Sequence, residues 1–255
     1  MKITRYVRYQ TQGKVSFGIL EEHTLRDLNG DIFVGAEPTG KTFNLADVKL
    51  LAPCQPANIL AVGRNYKSHI ADRGIAPAPY PGLFWKPASC IIGTGDDIVL
   101  PEGANNTHFE AEMVLVIGRK TKNVSRDDAV HHIFGITAGN DVSERDWQKN
   151  DLQWFRAKGS DTFGVLGPAI VQGLNYNDLL VQSRLNGELC QSQRTKDLIF
   201  DVPTIVSYAS QFVTFMPGDV IYTGTPGNTR SMQPGDVIEV ELEGVGVLRN
   251  RIGRA

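Results

Sequence analysis

The sequence predicts an α+β fold in which β-strands dominate. Residues 1 to about 50 contain short strand-like segments that glycines interrupt. Apolar runs of strand length follow at 59–63 and 134–139, and a longer run lies within 108–118. Helical patterns are few and short, and the longest covers about 203–215. Together these patterns indicate a β-rich protein with a small number of helices.

Composition excludes several classes of function. The chain has 255 residues, 41% of them hydrophobic and 21% charged, with a formal net charge of -2. Such a balance gives no electrostatic attraction to nucleic acid or to an anionic membrane.

The cysteines and the lack of targeting segments indicate a compartment. Cys54, Cys90 and Cys190 are odd in number and far apart, so we expect free thiols in a reducing compartment. No signal-peptide core and no run of membrane-span length is present, which predicts a cytoplasmic protein.

We predict a small N-terminal β-rich domain over residues 1–52 and a larger domain over residues 53–255. The first contains predicted strands at Thr4–Tyr9 and Val15–Leu20, and Pro53 to Pro56 looks like a linker.

A phosphate-loop pattern, G-x-x-x-x-G-K-[ST], occurs at Gly35 to Thr42. A working phosphate loop needs a buried strand before it and a long helix after it. Here only Ile32 to Val34 precede the pattern, and Pro53 and Pro56 soon follow it. We therefore expect a polar surface loop and no nucleotide.

The buried strand Ile59–Gly63 leads into a predicted short helix over Arg64–Gly74. His69 and Asp72 lie three residues apart and share a helix face, where the carboxylate can raise the basicity of the imidazole. The pair is a candidate base for activating water, or else an ordinary surface pair. The proline-rich stretch Gly74–Pro87 is predicted to be irregular, as a cover over a site or as a static loop.

The stretch His108–Gly118 predicts a strand buried on both faces that begins with two carboxylates. Side chains alternate along a strand, so Glu110 and Glu112 point the same way, with Cα atoms about 7 Å apart. Burying two like charges is costly unless a cation or a shared proton compensates. A divalent metal would provide that compensation; solvated residues at a strand entrance are the commoner origin of an isolated Glu-x-Glu.

Asp141 follows the predicted strand Phe134–Gly139 and is placed to be a third oxygen ligand, or else to cap a helix from Val142. Three carboxylates without a His or Cys partner suit Mg²⁺ or Mn²⁺. Arg145 and Gln148 lie three apart and could both face such a site. Lys158 lies in a predicted glycine-flanked turn, where it is a loop lysine or, beside a metal, a group that stabilises an enolate.

The last third of the chain predicts a hairpin at Asn186-Gly187 and the helix over about 203–215. Met216–Val220 and Gln233–Val237 are paired turn-to-strand units. Between them, Tyr222–Gly227 is a loop whose amides and Thr hydroxyls could hold a carboxylate.

With these segments together, the chain resembles the fumarylacetoacetate hydrolase family over roughly residues 55–255, in its acylpyruvate hydrolase and 2-hydroxyhepta-2,4-diene-1,7-dioate isomerase-like branch. Six blocks in the right order carry the resemblance: Gly63-Arg64-Asn65-Tyr66 with His69, Phe84-Trp85-Lys86-Pro87, Glu110 with Glu112, Asn140-Asp141 with Arg145-Asp146, Lys158-Gly159 with Asp161-Thr162, and Thr223-Gly224-Thr225-Pro226.

The resemblance implies a mixed β-sandwich roll, usually a homodimer, that holds Mg²⁺ or Mn²⁺ on Glu110, Glu112 and Asp141. It implies small 2-oxo acids as substrates, which chelate the metal through the carboxylate and the keto or enol oxygen. The residues expected to bind the substrate are Arg64, Tyr66, Arg145, Gln148 and Thr225.

In the family's acylpyruvate hydrolases, a His and a Glu on a short lid helix activate water. The matching positions here are His69 and Asp72, so this chain's acid is shorter by one methylene. The activity we expect first is hydrolytic C–C cleavage of an acylpyruvate-type substrate, with Lys158 stabilising the enolate product. Isomerase, tautomerase or decarboxylase activity on the same class of substrate is the alternative. A non-catalytic 2-oxo acid binding protein is a third hypothesis.

Overall fold

The computed structural model describes residues 2–68 and 78–255. The strands there are β1 (Thr4–Thr11), β2 (Lys14–Glu21), β3 (Thr24–Asn29), β4 (Glu37–Asn44), β5 (Lys49–Leu50), β6 (Ile59–Gly63), β7 (Gly82–Lys86), β8 (Ile91–Ile92), β9 (Ile98–Leu100), β10 (Thr107–His108), β11 (Ala111–Ile117), β12 (Ile133–Asp141), β13 (Ser143–Glu144), β14 (Gly164–Gln172), β15 (Leu180–Leu185), β16 (Glu188–Arg194), β17 (Val220–Tyr222), β18 (Val237–Leu242) and β19 (Gly246–Arg254). The helices described in full are α1 (Arg126–Ala129), α2 (Arg145–Asn150), α3 (Phe155–Gly159) and α4 (Val202–Phe212), with single 3₁₀ turns at 45–47, 88–90, 130–132 and 195–197.

Most strands belong to one large mixed sheet. Its main path runs β4-β3-β2-β1-β14-β12-β11-β17-β6-β7, with β5 paired to β1 and β8 paired to β14. The central strand β11 pairs antiparallel with both β12 and β17, and all seven of its residues are buried. The sequence prediction of a strand buried on both faces is confirmed.

A second sheet of five strands, in the order β16-β15-β18-β19-β9, packs against the middle of the first. Met113 and Leu115 of β11 share one hydrophobic core with Val240 and Leu242 of β18. Each sheet therefore buries one face against the other, which is the sandwich arrangement that the β-rich prediction implies.

The N-terminal strands continue the large sheet, because β1 pairs antiparallel with β14 over Thr4 to Tyr6. The strand predictions in this segment are confirmed, whereas the polar loop predicted for Gly35 to Thr42 is wrong. Residues 37–44 form the exposed edge strand β4, and one 3₁₀ turn follows it. The division into domains at residues 52 and 53 stays a prediction.

Two further details differ from the sequence predictions. The stretch Gly74–Pro87 was expected to be irregular, but residues 82–86 form β7 because they pair with β6 from Ile59 to Gly63. Lys158 lies in helix α3 and not in a glycine turn. The hairpin at Asn186-Gly187 is confirmed, with φ of 52° and 82° at these two residues.

The predicted helix near 203–215 is confirmed as α4, which Asp201 caps by accepting a hydrogen bond from the Thr204 amide. In the described ranges, no helix is both long enough and apolar enough to cross a bilayer.

Candidate metal centre

Pairing between β11 and β12 brings the three predicted carboxylates together. Glu112 lies opposite Gly139, and the Asp141 amide donates to the Glu110 carbonyl at 3.0 Å. As a result, one carboxylate oxygen each from Glu110, Glu112 and Asp141 lie within 4.8 Å of one another. All three side chains are buried, so the alternative of solvated residues at a strand entrance is wrong.

Three cations of the chain surround these carboxylates. Lys158 Nζ donates to Glu110 Oε2 at 2.6 Å and to Asp141 Oδ2 at 2.8 Å. Lys86 Nζ donates to Asp141 Oδ1 at 2.6 Å and also to the Lys158 carbonyl. Arg145 Nη1 lies 2.7 Å from Glu110 Oε1. The three cations contact Glu110 and Asp141 and offset their negative charges, which reduces the cost of burying the cluster.

The two glutamates have opposite electrostatic environments. Burial raises the pKa of Glu110, but Lys158 and Arg145 outweigh it, and the net pKa lies below the ordinary value. For Glu112, burial and then the repulsion of Asp141 and Glu110 hold the pKa well above the ordinary value. Burial lowers the pKa of Lys158, but Asp141 and Glu110 overcome this and raise it. Glu112 is therefore the carboxyl group of this cluster that most favours its neutral form.

The loop predicted to hold a carboxylate does hold one, and it is the protein's own Glu112. The Gly224 amide donates to Glu112 Oε2 at 2.6 Å. Gly224 has a φ of +105°, and a Cβ there would lie 2.7 Å from the Asn65 Cβ, so only glycine fits. The next residue, Thr225, donates from Oγ1 to the Ala111 carbonyl at 3.0 Å, which holds the loop against the Glu-x-Glu strand.

The donor set fits a hard divalent cation. All three potential ligands are carboxylate oxygens, and neither sulfur nor imidazole joins them in the described cluster. Mg²⁺ and Mn²⁺ prefer oxygen ligands of this kind. Glu110, Glu112 and Asp141 are the residues that would hold the ion.

A cavity of about 440 Å³ opens above this cluster. Seven of the predicted site residues line it, namely Arg64, Glu110, Asp141, Arg145, Gln148, Lys158 and Thr225. Tyr66, predicted to bind substrate, does not line this cavity. It is fully buried, and Glu112 helps to raise the pKa of its phenol, although burial contributes most. His69 and Asp72 lie outside the described residues.

Several cavity residues were not identified in the sequence as site residues. His108 lines the cavity, with Nδ1 at 3.0 Å from Thr229 Oγ1 and Nε2 at 2.9 Å from Asn106 Oδ1. Phe84 and Trp154 form an apolar wall in edge contact, with ring centroids 5.2 Å apart. The alternating strand pattern that placed Glu110 also places His108 on the same side, and this signal could have identified it.

Lys86 was recognised in the sequence only as part of a motif. A lysine in a strand next to prolines carries no signal of burial, yet its side chain is inaccessible to solvent. Its role becomes visible only when the fold brings Asp141 to it.

Comparison with protein families identifies two matching segments. Residues 58–253 match the fumarylacetoacetate (FAA) hydrolase C-terminal family, and residues 4–53 match the Rv2993c-like N-terminal family. Protein Rv2993c of Mycobacterium tuberculosis is 43% identical over 236 residues, which are 91% of this chain and 89% of that protein. Human mitochondrial oxaloacetate tautomerase FAHD2A is 39% identical over 220 residues, which are 81% of this chain and 70% of that protein.

Solved structures of the same fold include an isomerase and a hydrolase. The 5-carboxymethyl-2-hydroxymuconate delta-isomerase from Mycobacterium smegmatis has a TM-score of 0.93 at 39% identity, covering 98% of this chain and 100% of that one. Maleylpyruvate hydrolase from Sphingobium sp. SYK-6, solved with manganese(II) and pyruvate, has a TM-score of 0.81 at 26% identity, covering 98% and 99%.

Proposed function

Because the chain belongs to the fumarylacetoacetate hydrolase family, we propose that it is a divalent-metal-dependent enzyme that forms the enolate of a small 2-oxo acid and releases an isomer or tautomer. The observation that carries this proposal is that Glu110, Glu112 and Asp141 lie together, and that two of them, Glu110 and Asp141, line one cavity with Lys158. The manganese and pyruvate named for the maleylpyruvate hydrolase structure support the same chemistry here.

The proposed cation would be held by the three carboxylates. When bound, it would supply Lewis-acid polarisation of the keto oxygen, which makes the neighbouring C–H more acidic. Arg145 holds Glu110 in place through the contact at 2.7 Å. The Gly224 amide does the same for Glu112.

Lys158 is the protein's own stabiliser of the developing enolate. An ammonium group has three N–H donors, and in the described contacts two of them go to Glu110 and Asp141. The third can donate to a substrate oxygen in the cavity that Lys158 lines. A preorganised donor in a buried site stabilises a developing negative charge without reorganisation.

We assign the positioning of the substrate to residues of the cavity wall, namely Arg145, Gln148 and Thr225. Gln148 accepts from Arg145 Nη1 at 2.8 Å, and this hydrogen bond orients the two side chains relative to each other. Thr225 faces the cavity from the loop beside Glu112. The resemblance assigns to His69 and Asp72 the activation of water, which is the step that hydrolysis requires.

The activities named for the more similar proteins favour isomerisation or tautomerisation over hydrolysis. The delta-isomerase and the oxaloacetate tautomerase are each 39% identical to this chain, whereas the maleylpyruvate hydrolase is 26% identical. Hydrolytic C–C cleavage, the activity expected first from the sequence, is the second candidate. Hydrolysis would form an enolate as isomerisation does, but it would also consume a water molecule. It depends on whether Asp72 can replace the longer Glu found in the family's acylpyruvate hydrolases.

The proposal is tested by incubating the protein and Mg²⁺ with acetylpyruvate, oxaloacetate and a muconate-derived 2-hydroxydienoate in D₂O. Products and deuterium incorporation next to the carbonyl are followed by NMR, with a chelator control and a blank without protein. We expect deuterium exchange or isomerisation to be faster with the protein than in the blank. The chelator should abolish this increase. Pyruvate and acetate would establish the hydrolase instead. Absence of exchange and of product with all three compounds would overturn both candidates.

A further inference from the structure

Arg145 lines the cavity with hydrogen-bond donors that the described residues do not use. A guanidinium has five N–H donors. Here Nη1 donates to Gln148 at 2.8 Å and lies 2.7 Å from Glu110 Oε1, and Nη2 donates to Thr229 Oγ1 at 3.0 Å. Nε is buried and has no hydrogen-bond partner among the residues that the structure describes. The Nε–H group and one N–H group of Nη2 are therefore left for a ligand in the cavity.

Thr229 is the residue that fixes the orientation of this guanidinium. Glu110 and Gln148 both contact Nη1, so these two residues leave the planar group free to pivot about that nitrogen. The Thr229 hydroxyl contacts a different nitrogen, Nη2, and also lines the cavity. Contacts at two nitrogens restrain the plane of the group, and with it the direction of the unused donors.

His108 in turn fixes the direction of the Thr229 hydroxyl. Its Nε2 lies 2.9 Å from Asn106 Oδ1, and its Nδ1 lies 3.0 Å from Thr229 Oγ1. Asn106 Nδ2 donates to Asp146 at 3.0 Å, so its Oδ1 is the atom that accepts from His108. Nε2 therefore carries a proton, and Nδ1 of the neutral imidazole accepts from the hydroxyl. The hydroxyl then turns its lone pairs towards Arg145.

Backbone contacts tie the same residues to Arg145 a second time. The Arg145 amide donates to the Asn106 carbonyl at 3.0 Å. His108 forms an isolated β-bridge with Ser231, close to Thr229 in the chain. We call Asn106, His108 and Thr229 the His108 network. It begins at the Arg145 amide and ends at Arg145 Nη2, so the main chain and the side chain of this arginine are held by one set of residues.

From this arrangement we infer that His108 and Thr229 are positioning residues, which hold the unused donors of Arg145 towards a carboxylate oxygen of the substrate. The inference rests on the proposed function, since it needs a substrate in the cavity that Glu110 and Asp141 line. A carboxylate keeps its charge while the enolate forms, so Arg145 would stabilise the bound substrate and the transition state about equally. Loss of its orientation should therefore raise KM more than it lowers kcat.

The first test changes the Thr229 hydroxyl. Thr229→Val removes it and keeps the shape, Thr229→Ser keeps it, and Thr94→Val is the control because that hydroxyl contacts the Arg249 backbone outside the cavity. NMR in D₂O with Mg²⁺ gives KM and kcat for the compound that the wild type turns over fastest. In Thr229→Val we expect KM to rise by about 3- to 10-fold and kcat to fall by less than about twofold. Thr229→Ser and Thr94→Val should stay within about twofold of the wild type in both.

Metal binding separates positioning from damage to the metal centre. Calorimetric titration with Mn²⁺ should give the same affinity within about twofold in all these variants, because Glu110 keeps its contact with Arg145 Nη1. An affinity for Mn²⁺ that falls as far as KM rises would overturn the inference. So would a KM in Thr229→Val that matches Thr94→Val, or a KM that Thr229→Ser does not restore.

A double-mutant cycle tests whether His108 acts through Thr229. His108→Phe removes both ring nitrogens and should raise KM as Thr229→Val does. Combining the two changes should raise KM no further, within about twofold, because without the hydroxyl His108 has no route to Arg145. A KM increase in the double variant equal to the product of the two single increases would show independent roles and overturn the inference.

Long-range ¹H–¹⁵N NMR of ¹⁵N-histidine-labelled protein with Mg²⁺ tests the network without turnover. The His108 signals are assigned by their loss in His108→Phe. At about pH 8 we expect the proton on Nε2, and a shift of the Nδ1 signal in Thr229→Val that Thr94→Val does not cause. A proton on Nδ1 would overturn the inference. The expected spectra together with no exchange by the wild type would support the network and count against the proposed function alone.

Discussion

The Lys158 ammonium lies 2.6 Å from the nearer carboxylate oxygen of Glu110. The same nitrogen reaches Asp141 at 2.8 Å, so the chain places a cation of its own between two of the three proposed metal ligands. A divalent ion bound at the proposed centre would therefore act on the same carboxylates as Lys158. We expect the stability of the protein to depend on whether this centre is loaded.

Replacement of Lys158 with Met should destabilise the metal-free protein and make the metal more important for stability. Removing one partner of a buried ion pair costs about 3–5 kcal/mol, because the other charge stays buried. For a chain of this size we expect the Tm to fall by about 10 °C. Saturating Mn²⁺ should then raise the Tm by more in the variant than in the wild type, since the ion replaces the lost charge.

Thermal unfolding with EDTA and with Mn²⁺ measures both effects. Lys149→Met is the control, because that exposed lysine lies on the cavity wall and forms no hydrogen bond or ion pair with any residue that the structure describes. Its Tm should match the wild type in both conditions. Equal Mn²⁺ shifts in Lys158→Met and the wild type would show that Lys158 and the ion do not act on shared carboxylates.

Replacement of Glu110 with Gln should abolish metal-dependent turnover while leaving the protein folded. The amide keeps the size of the side chain but removes the negative charge that a divalent ion requires. Calorimetric titration with Mn²⁺ should show affinity reduced by at least about 100-fold, and NMR should show no chelator-sensitive exchange. Glu102→Gln, at an exposed glutamate outside the cavity, is the control. Full activity in Glu110→Gln would refute the metal assignment.

Local alternation along strands made part of this site predictable from the sequence. Glu110 and Glu112 were placed on one side of a buried strand because strand side chains alternate, and the register with β12 then brings Asp141 beside them. The neighbouring strands were predicted because short apolar runs bounded by glycine are typical of buried strands.

Long-range relationships could not be predicted in this way. Lys86 lies 55 residues before Asp141 in the chain, and only the pairing of β6 with β7 brings it to that carboxylate. The residues after Pro81 pair with an apolar strand that precedes them, so tertiary pairing overrides the irregular structure that four prolines suggested. Lys158 was expected in a turn because glycine flanks it, but Gly159 ends a short helix.

Binding of Mg²⁺ should strengthen as pH rises, because Glu112 must lose a proton to act as a ligand. Burial and the repulsion of Asp141 and Glu110 hold its pKa well above the ordinary value. In the metal-free protein this raised pKa contributes stability below the unfolded value of about 4.3, and the contribution is lost as pH rises through the folded pKa. A cation displaces the proton, so affinity should gain up to about tenfold per pH unit until Glu112 is ionised.

Titration calorimetry at several pH values, in buffers of different ionisation enthalpy, measures the number of protons released. We expect about one proton per ion at pH values below the folded pKa of Glu112. Glu112→Gln removes the titrating group, so any residual binding should lose this dependence on pH. An affinity that does not change with pH in the wild type would show that Glu112 is already ionised before the ion binds.

Replacement of Gln191 with Leu should loosen the loop beside the metal centre. This buried side chain on β16 accepts from the Ala111 amide at 3.2 Å and donates to Thr225 Oγ1 at 2.9 Å, so it ties the second sheet to the residue between the two glutamates. Leucine fills the space but leaves the Ala111 amide without this acceptor and removes one of the hydrogen bonds of Thr225, at a cost of about 2–3 kcal/mol. Thr225 would then be less well fixed, and KM should rise more than kcat falls. Gln182→Leu, which removes a hydrogen bond to Ser192 of β16 and one from Arg184, both away from the loop, is the control and should lower the free energy of unfolding by less than Gln191→Leu does. If both variants have the same Tm and the same KM, Gln191 does not position the loop.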